Sequence, residues 1–438
     1  MSWLTRYRLQ LYFRNSIWIF PVLSIVLALI SVALLNRIER AYGLQMEISP
    51  ETARAVMGTV AASMFTLVVI GSSAVLLAVQ LASAQLTPRI IVFVYRNRIR
   101  KFVLALFVFT FTFSVAVLVR IEGSVPLLTT YLTAYGFLLN LALFIYFCDA
   151  IGKTLRPGSA LRSVALAARE VIRSVYPQRE RPSESPTQQL AIERNNLTRV
   201  VLNAKDGVLL AVDFKGLVAM AEGANCVIEL VPEVGDLVGV GEPLFRIFEN
   251  GQGLSEDALQ GSIAVGEERT LEQDPMFAFR IIVDIATKAL SPAVNDPTTA
   301  VLAIDQLHHL LRGIGSRYLG DGYEKDNQGQ LRVIHRTPNW EEFVQLAVVE
   351  IRHYGRDSIQ VTRRLRAMLE DLLEVLPERR ALVLRNELKL ISSSAKRMFE
   401  EPDDQTLAQQ GDLQGIGGHS HALPIGQSHL HQRLQKLI

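Results

Sequence analysis

Two groups of residues carry metal-ligand chemistry at usable spacing. Asp305, His308 and His309 stand three and four residues apart, so on a helix a carboxylate and an imidazole share one face. Near the C-terminus, His419 with His421 and His429 with His431 form two His-x-His pairs, weak metal-ligand candidates among glycines whose composition predicts a disordered tail. Neither group has a complete ligand set fixed by spacing, so no metal centre and no cofactor are expected. Catalytic patterns fare no better. The chain has no phosphate-binding G-x-x-x-x-G-K-[ST] and no H-E-x-x-H, and its Ser393-x-x-Lys396 match sits inside an ordinary helical pattern. An enzyme is not expected.

Polar chemistry of another kind recurs inside an apolar run. Thr59, Thr66, Ser73, Gln80 and Thr87 fall at intervals of seven, two helical turns apart, and so form a slowly drifting stripe along one helix face. Two readings stand. Either small and hydroxyl or amide side chains form a hydrogen-bonding seam between close-packed helices, or copies of the helix line a polar pathway in a homo-oligomer.

The elements that position these residues follow from hydropathy. Hydrophobic residues make up 49% of the 438-residue chain and charged residues 20%, with the apolar content concentrated in the first third. Four runs are long enough to span a bilayer, about 17–35, 55–84, 102–119 and 125–148. Pro88 should stop the second by removing a backbone donor and disfavouring helical geometry at Thr87. Asn140 in the fourth is read as an interhelical hydrogen-bonding group. A transmembrane domain is therefore expected over 1–155.

Arginines set the orientation. Arg6, Arg8 and Arg14 precede the first span, Arg89, Arg96, Arg98, Arg100 and Lys101 lie between the second and third, and Lys153, Arg156 and Arg162 follow the fourth. Basic short loops stay in the cytoplasm, so both termini are expected there, in a bacterial inner membrane. Arg96, Arg98, Arg100 and Lys101 are placed to meet anionic lipid. A net charge of +2 makes no case for nucleic acid. Cys148 and Cys226 lie in different regions, so no disulfide framework is implied.

Downstream, 156–190 reads as a juxtamembrane helix and linker, ending in "YPQRERPSESPTQQ". Short apolar runs punctuated by Gly235, Gly239 and Gly241 predict strands over 191–250. The run "VPEVGDLVGVGEPLFRIF" resembles the second half of a biotinyl or lipoyl-like barrel-sandwich domain, although Lys215 lacks the setting of a carrier lysine. A mainly helical region over 251–400 and a tail over 401–438 complete the layout. Within the helical region Ser291, Asn295, Asp296 and Pro297 form the turn of a tight helical hairpin, with Asp296 as cap and Pro297 in the first position of the second helix.

The segments "LASAQLTPR", "VPEVGDLV" and "ALSPAVNDPTTA" together resemble a bacterial predicted-membrane-protein family, domain of unknown function 2254, across nearly the whole chain. That resemblance implies an N-terminal membrane region with a cytoplasmic domain. The expected fold is thus a multi-pass α-helical membrane protein of four spans with a cytoplasmic α+β region, containing a barrel-sandwich-like β module and a C-terminal helical region. The expected function is a homo-oligomeric ion or small-solute channel with a regulatory domain, or else a non-conducting membrane-anchored sensor or scaffold.

Overall fold

The computed structural model describes residues 2–96, 98–122, 124–179 and 196–417. It separates into two compact units, one formed by Met1–Pro177, Pro182–Asp284 and Gly320–Thr337, the other by Gln178–Arg181, Ile285–Leu319 and Pro338–Ile438.

In the first unit, helix α1 (Trp3–Asn15) leads into α2 (Ile19–Tyr42). A two-residue strand β1 (Gln45–Met46) precedes the long α3 (Pro50–Gln85), which Ser49 caps by accepting from the Thr52 amide. A 3-10 turn at Pro88–Ile90 and the short α4 (Ile91–Arg96) reach α5 (Arg98–Leu118). Strand β2 (Val125–Pro126) pairs back to β1, and α6 (Leu127–Thr154) and α7 (Pro157–Val175) follow.

Helices α2, α3, α5 and α6 are each long and apolar enough to cross a membrane. They overrun the expected bounds, because charged and polar end residues prolong a helix without adding hydropathy. At 36 residues α3 extends about 54 Å, well beyond a hydrocarbon core of roughly 30 Å. The stop falls as the proline requires: Thr87 is extended at φ −163°, ψ 147°.

Packing among the four is led by α5, whose Phe107 and Phe113 are fully buried. Gly71 of α3 sits against Leu104, Phe107 and Phe147, and a Cβ there would meet Leu104 at 3.3 Å. Asn140 donates to Thr110 Oγ1 across the α5–α6 contact at 2.7 Å. Buried Glu39, from α2, accepts from the Thr129 amide in the first turn of α6 at 2.9 Å, where a carboxylate complements the helix dipole.

The β module is built from β3 (Leu197–Leu202), β4 (Gly207–Val212), α8 (Phe214–Ala224), β5 (Cys226–Leu230), β6 (Leu237–Val238), β7 (Pro243–Glu249), α9 (Glu256–Gln260) and β8 (Ile263–Gly266). α10 (Pro275–Ala289) and α11 (Pro297–Gly315) then intervene before β9 (Tyr323–Lys325) and β10 (Leu331–Ile334). Two sheets result, one in the order β3-β7-β5-β10-β9 and one in the order β6-β4-β8. The first is mixed, since β10 runs parallel to β5 while the other pairs are antiparallel. Leu209, Val212, Leu217, Ile228, Phe245, Ile263 and Val333 share the core between sheets and helices.

This corrects the expected limits of the module. Strands β8, β9 and β10 come from the stretch read as mainly helical: β8 pairs with β4 and β10 with β5, both far earlier in the chain, and pairing at such separations leaves no local period, while β9 joins only through its neighbour β10. Lys215 lies exposed on helix α8 and not on a hairpin tip.

The second unit is helical. It takes the end of α10, then α11, α12 (Trp340–Tyr354), α13 (Ile359–Val375), α14 (Ala381–Met398) and α15 (Pro402–Ala408). Helix α15 falls in the stretch expected to be a disordered tail, a second correction. Buried Asp412 then accepts from the Gln414, Gly415 and Gly417 amides, which orders the glycine-rich segment after α15. The cluster His419, His421, His429 and His431, and the linker from 180 to 190, lie outside the described residues.

Candidate functional site

The polar stripe and the packed face of α3 are opposite sides of one helix. Met57, Met64, Gly71 and Ala78 are buried at intervals of seven, joined by Ala53, Val60, Val75 and Ala82. Thr59, Thr66, Ser73 and Gln80 each lie two residues further on, about 200° round the helix, and all four are exposed. Between them at the intervening heptad positions come Ala55, Ala62, Val69, Leu76 and Ser83, mostly small. A 3-4 alternation of this kind is the spacing that helix–helix contacts use. Among the described residues Thr59, Thr66, Ser73 and Gln80 are left uncovered, while Ser83 is half-buried.

Thr59 and Thr66 donate to the carbonyls four residues earlier, at 2.9 and 3.0 Å, so their hydroxyl oxygens still have acceptor capacity outward. Thr87 departs from the stripe. It lies past the end of α3, is buried, and its hydroxyl accepts from the Arg89 amide to cap the 3-10 turn. The heptad count carries through Thr87 in sequence, but the helix does not.

The basic residues expected to face lipid divide. Arg96 pairs with Glu272 at 2.6 Å and donates to Asn15 Oδ1 at 3.0 Å, while Arg100 donates to Thr154 Oγ1 at 3.0 Å. Lys101 donates to the carbonyl of Arg14 at 2.7 Å. Arg100 and Lys101 are buried, and these three cations tie helices α1, α4, α5 and α6 together. Arg98 alone of the four is exposed. Arg14 adds a second, longer contact to Glu272 at 3.6 Å, and Arg89 pairs with Asp284.

Around Arg96 and Glu272 lies a cavity of about 310 Å³, also lined by Tyr7, Gln10, Arg14 and Glu170. Burial pushes the Tyr7 phenol up and the Arg96 guanidinium down, the latter opposed by Glu272. Glu272 was not legible as a partner of Arg96, since 176 residues separate them and no local pattern marks either.

In the second unit the hairpin turn is fully bonded. The Asp296 amide donates to the Ala289 carbonyl at 2.7 Å, the Asn295 amide to that of Ser291 at 2.9 Å, and the Ser291 hydroxyl to that of Lys288 at 2.7 Å. Asn295 takes φ +47°, a left-handed conformation asparagine tolerates, and Asp296 accepts from the Thr299 amide with Pro297 in the first turn of α11. These bonds account for all four residues structurally.

Asp305 and His308 meet a cation where a metal would have to sit. The Arg364 guanidinium donates to Asp305 Oδ1 at 2.6 Å and approaches His308 Nδ1 at 3.1 Å, while His308 Nε2 lies 2.7 Å from Asp371. Arginine only donates, so Nδ1 accepts, Nε2 carries the proton to Asp371, and the imidazole is neutral. Burial also holds the His308 pKa down, against the opposing effect of Asp371. His309 stacks on His308 at 6.1 Å and is exposed. Among the described residues no three His, Cys, Asp or Glu side chains are grouped to hold a metal.

Comparison with known proteins agrees with the architecture. The uncharacterized proteins Mb1321c of Mycobacterium bovis and Rv1290c of Mycobacterium tuberculosis are each 26% identical over 425 residues, covering 90% of this chain and 79% of the relative. No solved structure matches. The family model described as "Predicted membrane protein (DUF2254)" matches residues 14–371, and the chain belongs to that family of membrane proteins.

Proposed function

We propose that this protein assembles through the exposed heptad face of α3 into a homo-oligomer whose stripe lines a path for ions or small polar solutes. The α+β region, with its barrel-sandwich-like packing, is the cytoplasmic regulatory part. Both termini lie in the cytoplasm and the spans in the bacterial inner membrane, because the basic residues cluster at one set of helix ends. The role is one of transport and not of catalysis.

One observation carries the reading: Thr59, Thr66, Ser73 and Gln80 are exposed on the side of α3 opposite its buried residues. A glutamine on a lipid-facing surface is costly, and a second copy of α3 supplies both a close-packing partner and hydrogen bonds. The alternative, a non-conducting membrane-anchored sensor or scaffold, uses the same face as a dry seam.

Gln80→Leu and Ser73→Leu separate the two in reconstituted vesicles, with flux and oligomer mass measured on the same preparations. A pathway predicts flux falling at least several-fold with the mass unchanged, since an apolar ring dewets. Changed mass, or no flux from well-assembled wild-type protein under varied voltage, tension and pH, rejects conduction in favour of the scaffold. A monomeric wild-type protein rejects both uses of the seam.

A further inference from the structure

Helix α1 has two apolar faces, and among the described residues one of them is covered by protein while the other is exposed. Trp3, Leu4, Tyr7 and Leu11 pack against Leu210, Ala211 and Ala264 of strands β4 and β8. With about 100° of turn per residue, Tyr12, Leu9 and Phe13 lie roughly 140° to 240° round from Tyr7, on the far side. Tyr12 and Phe13 are half exposed, at 52% and 50%. Arg8 and Arg6 border this arc at about 100° and 260°, and both are exposed.

The level of the arc is fixed by the span that follows. Trp18 stands at the N-cap of α2, is 53% exposed, and packs edge-on against Tyr12 with ring centroids 6.3 Å apart. Lys101, in the first turn of α5, bonds the last-turn carbonyls of Phe13 and Arg14 and lies over the Phe20 ring at 5.9 Å. The C-terminal turn of α1 is therefore held at the height where two apolar helices begin. Thirteen residues, about 20 Å, cannot cross a bilayer.

We propose that α1 lies in the headgroup region of an anionic bilayer, with Leu9, Tyr12, Phe13 and Trp18 reaching the acyl boundary. Arg6, Arg8 and Arg98 engage lipid phosphates. The charge fits that occupant: no Asp or Glu precedes Glu39, and none lies between Arg89 and Leu118. Aromatic rings with flanking arginines suit an interface where one end is apolar and the other wet. Because the opposite face of α1 holds strands β4 and β8, the helix joins the lipid surface to the β module. This attachment does not depend on whether the protein conducts.

The test uses the full chain in phosphatidylcholine vesicles containing a quarter phosphatidylglycerol, with Cys148→Ser and single nitroxides placed by Leu9→Cys, Phe13→Cys and, as an aqueous control, Lys205→Cys. Relative collision with oxygen and with a water-soluble nickel chelate reads depth. Positions 9 and 13 are expected about 5–10 Å below the surface and position 205 in water. Quenching of a fluorophore at position 9 by brominated phosphatidylglycerol over brominated phosphatidylcholine is expected to show a several-fold preference, falling towards parity in the Arg6→Gln, Arg8→Gln double variant. Water-like readings at both 9 and 13 overturn the proposal. So does protection seen only at high protein density and lost at one chain per nanodisc, which would make a second copy the occupant. Equal quenching by the two lipids removes the anionic preference and overturns it as stated.

Discussion

The spanning helices and the helical unit that follows differ in what they leave exposed. On α3 the packed face mixes small residues, Ala53, Ala61, Gly71, Ala78 and Ala82, with Met57, Met64 and valines, while Phe65, Val69, Ile70, Leu76 and Leu77 are exposed. In the second unit Trp340, Phe343, Leu365, Met368 and Leu369 are buried, and Glu341, Arg356, Glu374 and Lys389 are exposed. Water drives large apolar groups inward, whereas lipid tails remove that drive and leave close contact as the reason to pack. The anomalies therefore differ. An exposed Gln80 needs explaining on α3, and buried Arg363 and Arg364 need it on α13. The structure answers for the arginines with partners: Arg363 donates to the Gln410 and Gly417 carbonyls at 3.2 and 3.1 Å, and Arg364 reaches Asp305.

The largest effect expected from this contrast is on a core aromatic. Phe343→Ala should destabilise the helical unit by about 3–5 kcal/mol, through lost transfer energy and the cavity left. Leu27→Ala on α2, where Leu27 is 57% exposed, should change stability by no more than about 0.5 kcal/mol. Thermal unfolding of the full chain in one detergent compares them. Equal losses would erase the distinction drawn between the two helical regions.

A smaller effect is expected from the neutral imidazole facing Arg364, Asp371 and His309. Its folded pKa is depressed, so the unfolded chain takes up a proton the native state resists. The stability it contributes is complete above about pH 6.5, its unfolded value, and is lost as pH falls through the folded value. Unfolding temperatures between pH 8 and 5 should fall less in His308→Gln than in the wild type. Parallel curves would remove His308 from the account.

The smallest change is expected inside the spans. Asn140→Leu deletes the bond to Thr110, and such bonds contribute about 0.6 kcal/mol in a bilayer because the separated helices find other partners. Unfolding of the full chain in mixed micelles should register that small loss. A loss of several kcal/mol would show that the contact behaves as it would in a water-driven core.

The parts readable from sequence share one property: their cause is local. Four apolar runs, the stop at Pro88, the cap at Asp296 and the seven-residue spacing of the α3 stripe all follow from helix period or from the chemistry of adjacent residues. Even so, the spacing did not reveal that Thr87 leaves the helix and turns inward. Tertiary structure decided the rest. It chose which side of α3 is packed, drew β8 and β10 into sheets with strands far earlier in the chain, gave Arg96 to Glu272, and filled the Asp305–His308 face with Arg364. The helix repeat places a side chain on a face, but only the packing of other segments determines what that face meets, because those contacts join residues with no fixed separation along the chain.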